Sequence, residues 1–169
     1  SAVFDPEAYV SSDDPYSYPN VDWLGSFLKD WSFNHKYNVN VRGGTDRIRY
    51  FASIGYQGNT GVYKVDKNAN TYNTNNTYDQ YSFRGNVDLN VTKHMLLSLD
   101  ISSIISQWNY PGARSESTSR ILNSMAQTPP NAHPIFNEDG SVSGNTQYQN
   151  NTYALLNKNG YSVWKTRSN

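Results

Sequence analysis

Few side chains in this sequence are equipped for chemistry, and their spacing is uneven. Two pairs of adjacent carboxylates, Asp13-Asp14 and Glu138-Asp139, have the composition of a hard-cation ligand pair or an acid–base couple. A calcium loop draws several oxygen ligands from fixed positions, and neither pair has that spacing, so both read as solvated turns. His35, His94 and His133 are scattered, without the i, i+4 pairing of a helical zinc site, and no metal centre is expected. The absence of cysteine removes thiolate ligands, disulfides and cysteine nucleophiles. No nucleophile elbow, phosphate loop or Ser/His/Asp set is present, so neither catalysis nor a cofactor is expected. Asn75-Asn76-Thr77, Asn90-Val91-Thr92 and Asn150-Asn151-Thr152 match the glycosylation acceptor pattern, as chance alone would produce in a chain with 22 Asn.

Binding chemistry is better represented. Trp108 and Tyr110 offer flat apolar faces of the kind on which sugar rings stack, with Asn and Ser nearby to pair with hydroxyls. The same two rings would serve equally as interfacial or loop-packing residues. A polar row of Lys36, Asn38, Asn40, Arg42, Arg47, Arg49, Arg84, Asn86 and Asp88 supplies amides and charges. Asn40, Arg49, Arg84 and Asn86 from that row join Trp108 and Tyr110 as candidate substrate contacts. The alternative for the row is a solvated or packed wall.

What must position these residues is a set of strands. From Phe33 to Arg42 the chain alternates strictly, with Phe33, His35, Tyr37, Val39 and Val41 on one face. Gly43-Gly44-Thr45-Asp46 predicts a tight turn built on positive-φ glycines, and Ile48 to Gln57 predicts the returning strand of a hairpin. A third strand is predicted over Tyr78 to Asn90 and a fourth from about Met95 to Gln107, joined by a short turn at Thr92-Lys93. Residues 58–77 read as a long loop. After Gln107 a loop over 108–160 is expected, interrupted by a short amphipathic helix near 117–127 that carries Ile121, Leu122 and Met125. Tyr153 to Leu156 reads as a helical turn or a short contact segment, and 161–169 as the start of a further strand. Residues 1–32 are aperiodic and read as loop, apart from a helical turn near Trp23.

The composition agrees with this all-β reading. The 169 residues contain 22 Asn, 20 Ser and 24 aromatics, a mixture that favours strands and turns over helices. Equal numbers of acidic and basic groups and a pI near 6.8 remove the electrostatic case for nucleic acid or an anionic membrane surface. No apolar run is long enough for a transmembrane helix, a test that leaves a β-barrel open. Connection lengths alternate short, long, short, long, so the short turns fall at one end of the sheet and the long loops at the other. Outer-membrane barrels are built in this way, and strands of ten residues or more suit a tilted bilayer crossing. Trp31, Phe33, Tyr56, Tyr78, Tyr81, Trp108 and Tyr110 gather toward the long-loop ends, where an interfacial aromatic girdle would sit. A soluble β-sandwich module that binds glycans would show the same alternation.

Particular residues sharpen the choice. Pro19-Asn20-Val21-Asp22-Trp23, the run from Asn38 through Arg42-Gly43-Gly44-Thr45-Asp46-Arg47 to Tyr56, and Gly61-Val62 resemble the early barrel of SusC/RagA-type TonB-dependent outer-membrane transporters of the Bacteroidetes. Tyr81 to Thr92, Pro129-Pro130, Asn137-Glu138-Asp139-Gly140 and Tyr153-Ala154-Leu155-Leu156 are similar to later segments of that family. The resemblance implies an antiparallel transmembrane β-barrel of about 22 strands around an N-terminal plug, of which this chain would be a fragment. It implies that 1–32 is an extracellular loop, that 33–107 holds four barrel strands, and that Gly43 to Asp46 is periplasmic. It further implies import of an oligosaccharide or oligopeptide with a SusD-like surface lipoprotein, driven by the TonB complex through a part of the protein outside this sequence. The outward face would meet the lipid bilayer.

Overall fold

The computed structural model describes residues 6–11, 14–112 and 116–169. Five strands form one open antiparallel sheet in sequential order: β1 (Asn34–Gly44), β2 (Ile48–Asn59), β3 (Thr77–Thr92), β4 (Met95–Pro111) and β5 (Tyr161–Ser168). Four helices accompany them: α1 (Pro6–Ser11), α2 (Trp23–Phe27), α3 (Glu116–Gln127) and α4 (Thr152–Asn157). By contacts the chain divides into a loop unit (1–31, 62–76 and 109–162) and a strand unit (32–61, 77–108 and 163–169). Among the described residues no helix is long and apolar enough to cross a membrane.

In the strand unit, the period-two alternation places its apolar set on one face. Tyr37, Val39 and Val41 pair with Tyr56, Ile54 and Ala52, which in turn pair with Tyr81, Phe83 and Gly85. Leu97, Leu99 and Ile101 continue the pattern on β4. Among the described residues nothing covers this face: Val39 is 68% exposed, Ile54 64% and Ile101 52%. A soluble sheet normally packs one face against a core, so a wide, bare apolar face marks a surface that meets another apolar phase or partner. At the long-loop end Phe33, His35, Tyr37, Tyr56 and Tyr81 follow one another with ring centroids 5.1 to 6.4 Å apart. Tyr56 anchors this row by donating its hydroxyl to Asp79 at 2.7 Å.

The hairpin forms where the sequence predicts it, but for a different reason. Gly43 and Gly44 lie within β1, opposite Tyr50 and Arg49, and neither has positive φ. The turn is made by Thr45, whose N–H donates to Ile48 O at 2.6 Å while its Oγ1 accepts from Arg47 N and Ile48 N. What requires glycine is close approach. A Cβ on Gly43 would enter the Tyr50 phenol, and one on Gly44 would meet the backbone carbonyl of Ile48. Gly44→Ala is therefore expected to cost about 1–3 kcal/mol because a backbone group must move. Gly43→Ala meets only a side chain that can swing away, and denaturant titration of the two variants should rank them in that order.

β4 also runs further than expected, to Pro111, so Trp108 and Tyr110 stand in a strand and not in a loop. Its apolar alternation fades after Ile105 while the backbone pairing continues, which explains why the pattern lost it. Tyr78 and Trp108 occupy the face opposite that aromatic row. Tyr78 shares the side of Gln80 and lies 3.5 Å from Ser106 Oγ, two residues from Trp108. The expectation that these two rings belong to the outward girdle is corrected by this register.

The loop unit has its own core of Trp23, Phe27, Tyr63, Ile121, Met125, Leu155 and Leu156. α2 is a single turn, started by Asp22 accepting from Gly25 N at 2.9 Å, and it sets Trp23 and Phe27 on one side, stacked 6.2 Å apart. In α3 Ile121 and Met125 are buried, whereas Leu122 faces solvent because it lies about 100° around the helix from Ile121. Much of the remaining interior is held by asparagine. Asn75 donates to Tyr63 O and accepts from Tyr63 N, so that one amide serves both backbone groups of a buried residue. Asn109 donates to Asn73 O and Asn75 O at 2.8 and 2.7 Å. Asn157 accepts from Asp66 N at 3.0 Å, and its carbonyl accepts from the Asn70 amide at 2.6 Å.

Candidate functional site

The polar face of the strand unit gathers the predicted contacts. Asn40, Ser53 and Arg84 share one cross-strand row, Phe51 and Asn86 the adjacent one, and Arg49 and Asp88 the next. Asn40, Arg49, Arg84 and Asn86 therefore come together within three rows. The acids here are already engaged: Asp88 accepts from Ser98 Oγ at 2.6 Å and Asp100 from the Asn86 amide at 2.8 Å. Asn38 and Ser53 make a third cross-strand link at 3.3 Å. Arg49 and Arg84 make no ion pair among the described residues, so the face keeps a positive bias. Beside them, a shallow hollow of about 300 Å³ lies where Gly55 leaves room between Asn38, Gln80 and Ser82.

The third feature of this face is aromatic. Trp108 lies between Tyr78 and Trp164, with centroids at 5.1 and 5.3 Å and interplanar angles of 40° and 32°. The Tyr78 hydroxyl donates to Gln80 Oε1 at 2.7 Å, which fixes one end of the shelf. Trp164 is missing from the sequence-derived set. Its signal was available in the alternation that starts at Tyr161, but the cross-strand partner that gives it meaning lies more than fifty residues earlier. Tyr110 is half-buried at the end of β4.

The remaining chemistry-bearing residues occupy structural positions. Asp139 accepts from the Ser141 hydroxyl and N–H, in that order of effect, and these hold its carboxyl below the usual range. It closes a turn with Gly140 at φ +78° between the bridged Phe136 and Val142. Asp14 accepts from Tyr16 N and Ser17 N, while Asp13 lies outside the described residues. His35 stacks in the aromatic row of the apolar face, His94 stands in the β3–β4 turn, and His133 is buried beside Trp23. Among the described residues no group of three or more His, Asp or Glu could hold a metal ion. Of the three asparagines that begin the glycosylation patterns, Asn75 and Asn90 donate their amides to backbone carbonyls, while the exposed Asn150 accepts from Arg120 at 3.3 Å.

Among the loop-unit acids held below the usual range, Asp66 joins the 62–76 stretch to α4. The Asn68 N–H and then the Tyr153 hydroxyl, at 2.9 Å each, hold it below its ordinary value of 3.8. A depressed carboxyl stabilises the fold at pH above its unfolded value, and the contribution disappears as pH falls through the lower folded value. The loop unit is thus expected to loosen below about pH 4. Asp66→Asn should flatten that acid limb when amide exchange of α4 is followed between pH 5 and 2.

Over 145 residues the chain is 27% identical to "TonB-dependent receptor P26" of Formosa agariphila, an alignment that covers 85% of this chain and 13% of that protein. The chain thus spans a small part of the length of this relative. No family model matches it.

Proposed function

We propose that this chain is a section of the wall and the outer loops of a TonB-dependent importer in the bacterial outer membrane. The observation that carries the reading is the bare apolar face, crowned by an aromatic row, on the back of a polar, hydrogen-bonded one. From Tyr81 to Val91 the outward row spans about 34 Å at roughly 3.4 Å per residue. A tilt of about 40° reduces this to roughly 26 Å, the height of the apolar band of a membrane β-barrel. A β-sandwich module would bury this face, so the soluble alternative is disfavoured. The similarity to a TonB-dependent receptor supports the same reading and implies energy supplied by the TonB complex.

In the finer form of the proposal the importer is of the SusC/RagA type and works with a SusD-like lipoprotein. It carries an oligosaccharide or oligopeptide past the lumenal row and leaves it chemically unchanged. The Tyr78–Trp108–Trp164 shelf would stack on pyranose or side-chain faces, and the Arg84 and Arg49 guanidinium groups would take hydroxyl or carboxylate oxygens. Deletion of the gene, followed by growth on a panel of glycans and peptides, tests this. Loss of growth on one substrate class, restored by the wild-type gene but at least tenfold more weakly by Trp108→Ala/Trp164→Ala, is expected. Undiminished growth on every substrate would overturn it.

A further inference from the structure

We propose that the hollow at Gly55 binds the anionic oxygens of an acidic glycan, those of a carboxylate or a sulfate ester carried on the sugar. This site deepens the importer reading, on which it rests. Gly55 is the point on which the polar groups converge. A Cβ built there would lie 2.5 Å from Ser82 Oγ, 3.7 Å from the Asn38 amide nitrogen and 3.6 Å from Tyr37 O. Glycine keeps that space open to a ligand. Around it stand Lys36, Gln57, Gln80 and Ile104, enclosing about 300 Å³.

The hydrogen bonds already made decide which ends of the amides remain. Asn38 Oδ1 accepts from Ser53 Oγ at 3.3 Å, and Gln80 Oε1 accepts from the Tyr78 hydroxyl at 2.7 Å. Both amides therefore keep their N–H₂ groups for the hollow. Lys36 makes no ion pair or hydrogen bond among the described residues, and no carboxylate lines the hollow. Ser82 and Gln57 can each turn a donor inward. Spent acceptors beside an ammonium and several free donors suit a group that only accepts. A sugar hydroxyl would use half of its capacity here, whereas a carboxylate or sulfate would use its oxygens in charge-assisted bonds, about twice as strong as neutral ones. Arg42, Arg49 and Arg84 continue the positive charge along the same face, against Asp88 and Asp100. The aromatic shelf favours a glycan over an acidic peptide as the carrier. Tyr78 and Gln80 are two positions apart on one side of β3, about 7 Å at roughly 3.4 Å per residue, so a pyranose stacked on the shelf brings a ring substituent to the hollow.

A strain lacking the natural full-length gene is grown on polygalacturonate, alginate, carrageenan and fucoidan as acidic glycans, on starch and xylan as neutral ones, and on casein peptides. We expect growth to fail on at least one acidic glycan and to persist on the neutral glycans and the peptides; a uronate polymer would identify the carboxylate, a sulfated one the sulfate ester. Complementation with Lys36→Gln, at an exposed strand position, should raise the concentration for half-maximal growth on that glycan at least tenfold. Lys36→Arg, which keeps the charge, should stay close to wild type, with the amounts of protein in the outer membrane matched by immunoblot. Undiminished growth on every substrate would overturn the importer reading and the anion site together. Loss of growth on a neutral glycan or on peptides would keep the importer and overturn the anion site, as would full rescue by Lys36→Gln or a Lys36→Arg as poor as Lys36→Gln.

Discussion

Val41→Arg is expected to destabilise the folded chain by about 2–4 kcal/mol in a bilayer. Val41 stands in the row of Ala52 and Gly85, midway between the Tyr81 and Leu89 rows, which puts it near the hydrocarbon centre of the proposed membrane band. Its side chain is 56% exposed, so in water an arginine there would be unremarkable. The penalty arises only if the exposed face is dissolved in lipid, where a guanidinium must drag water inward or snorkel. Ile54→Arg, one row nearer the aromatic girdle, should cost somewhat less. Asn40→Ala, on the opposite face of the same strand, should change stability by less than about 0.5 kcal/mol. Urea titration of the full-length protein folded into vesicles measures all three. Equal tolerance of the two faces would remove the main support for the membrane reading.

The second large effect lies in the loop unit. Asn151 is 3% exposed, and its amide donates to Ile135 O and Ser143 O at 2.8 Å each while its Oδ1 accepts from Tyr153 N at 2.9 Å. One side chain thus caps α4 and ties two separate stretches of the loop to its start. Asn151→Ala leaves the Ser143 carbonyl and the Tyr153 N–H without partners and takes from Ile135 O one of its two donors, the other being Ser143 N, at an expected cost of about 3–5 kcal/mol. Its neighbour Asn150 is exposed and accepts from Arg120 at 3.3 Å, so Asn150→Ala should cost about 0.5 kcal/mol or less. Amide exchange of Leu155 and Leu156, both buried in the core, would report the difference as a fall in protection confined to this unit. A loss below about 1 kcal/mol for Asn151→Ala would mean that water takes over the amide's three bonds.

These two sites also divide what could be read from the residues alone. Alternation revealed β1 to β4 because a strand with one apolar face repeats every two residues, and four candidate contacts, Asn40, Arg49, Arg84 and Asn86, could be assigned to a common face from that period. The helix near Ile121 and Met125 was legible from its spacing for the same reason. Asn75, Asn109 and Asn151 were not legible. Asparagine commonly marks turns, and nothing local distinguishes an amide that solvates itself in water from one that bonds distant carbonyls in a core. Tyr63 was hidden because its burial depends on α2 and on Asn75, not on a period of its own. The Trp108–Trp164 contact was missed because cross-strand partners are separated in sequence by the whole 112–160 connection.

The loop core has a consequence for how the protein comes into being. Its first segment is secured by a much later one: the Trp23 indole N–H donates to Pro129 O, 106 residues on, and Val21 N donates to Pro130 O. α4, which supplies Leu155 and Leu156, comes later still. Such closure of distant segments is entropically slow, and it cannot begin until the intervening strands have been delivered. Trp23 and Phe27 therefore emerge from synthesis more than a hundred residues before the segments that cover them. Until those partners are made, Trp23 and Phe27 are exposed apolar surface of the kind from which aggregation starts.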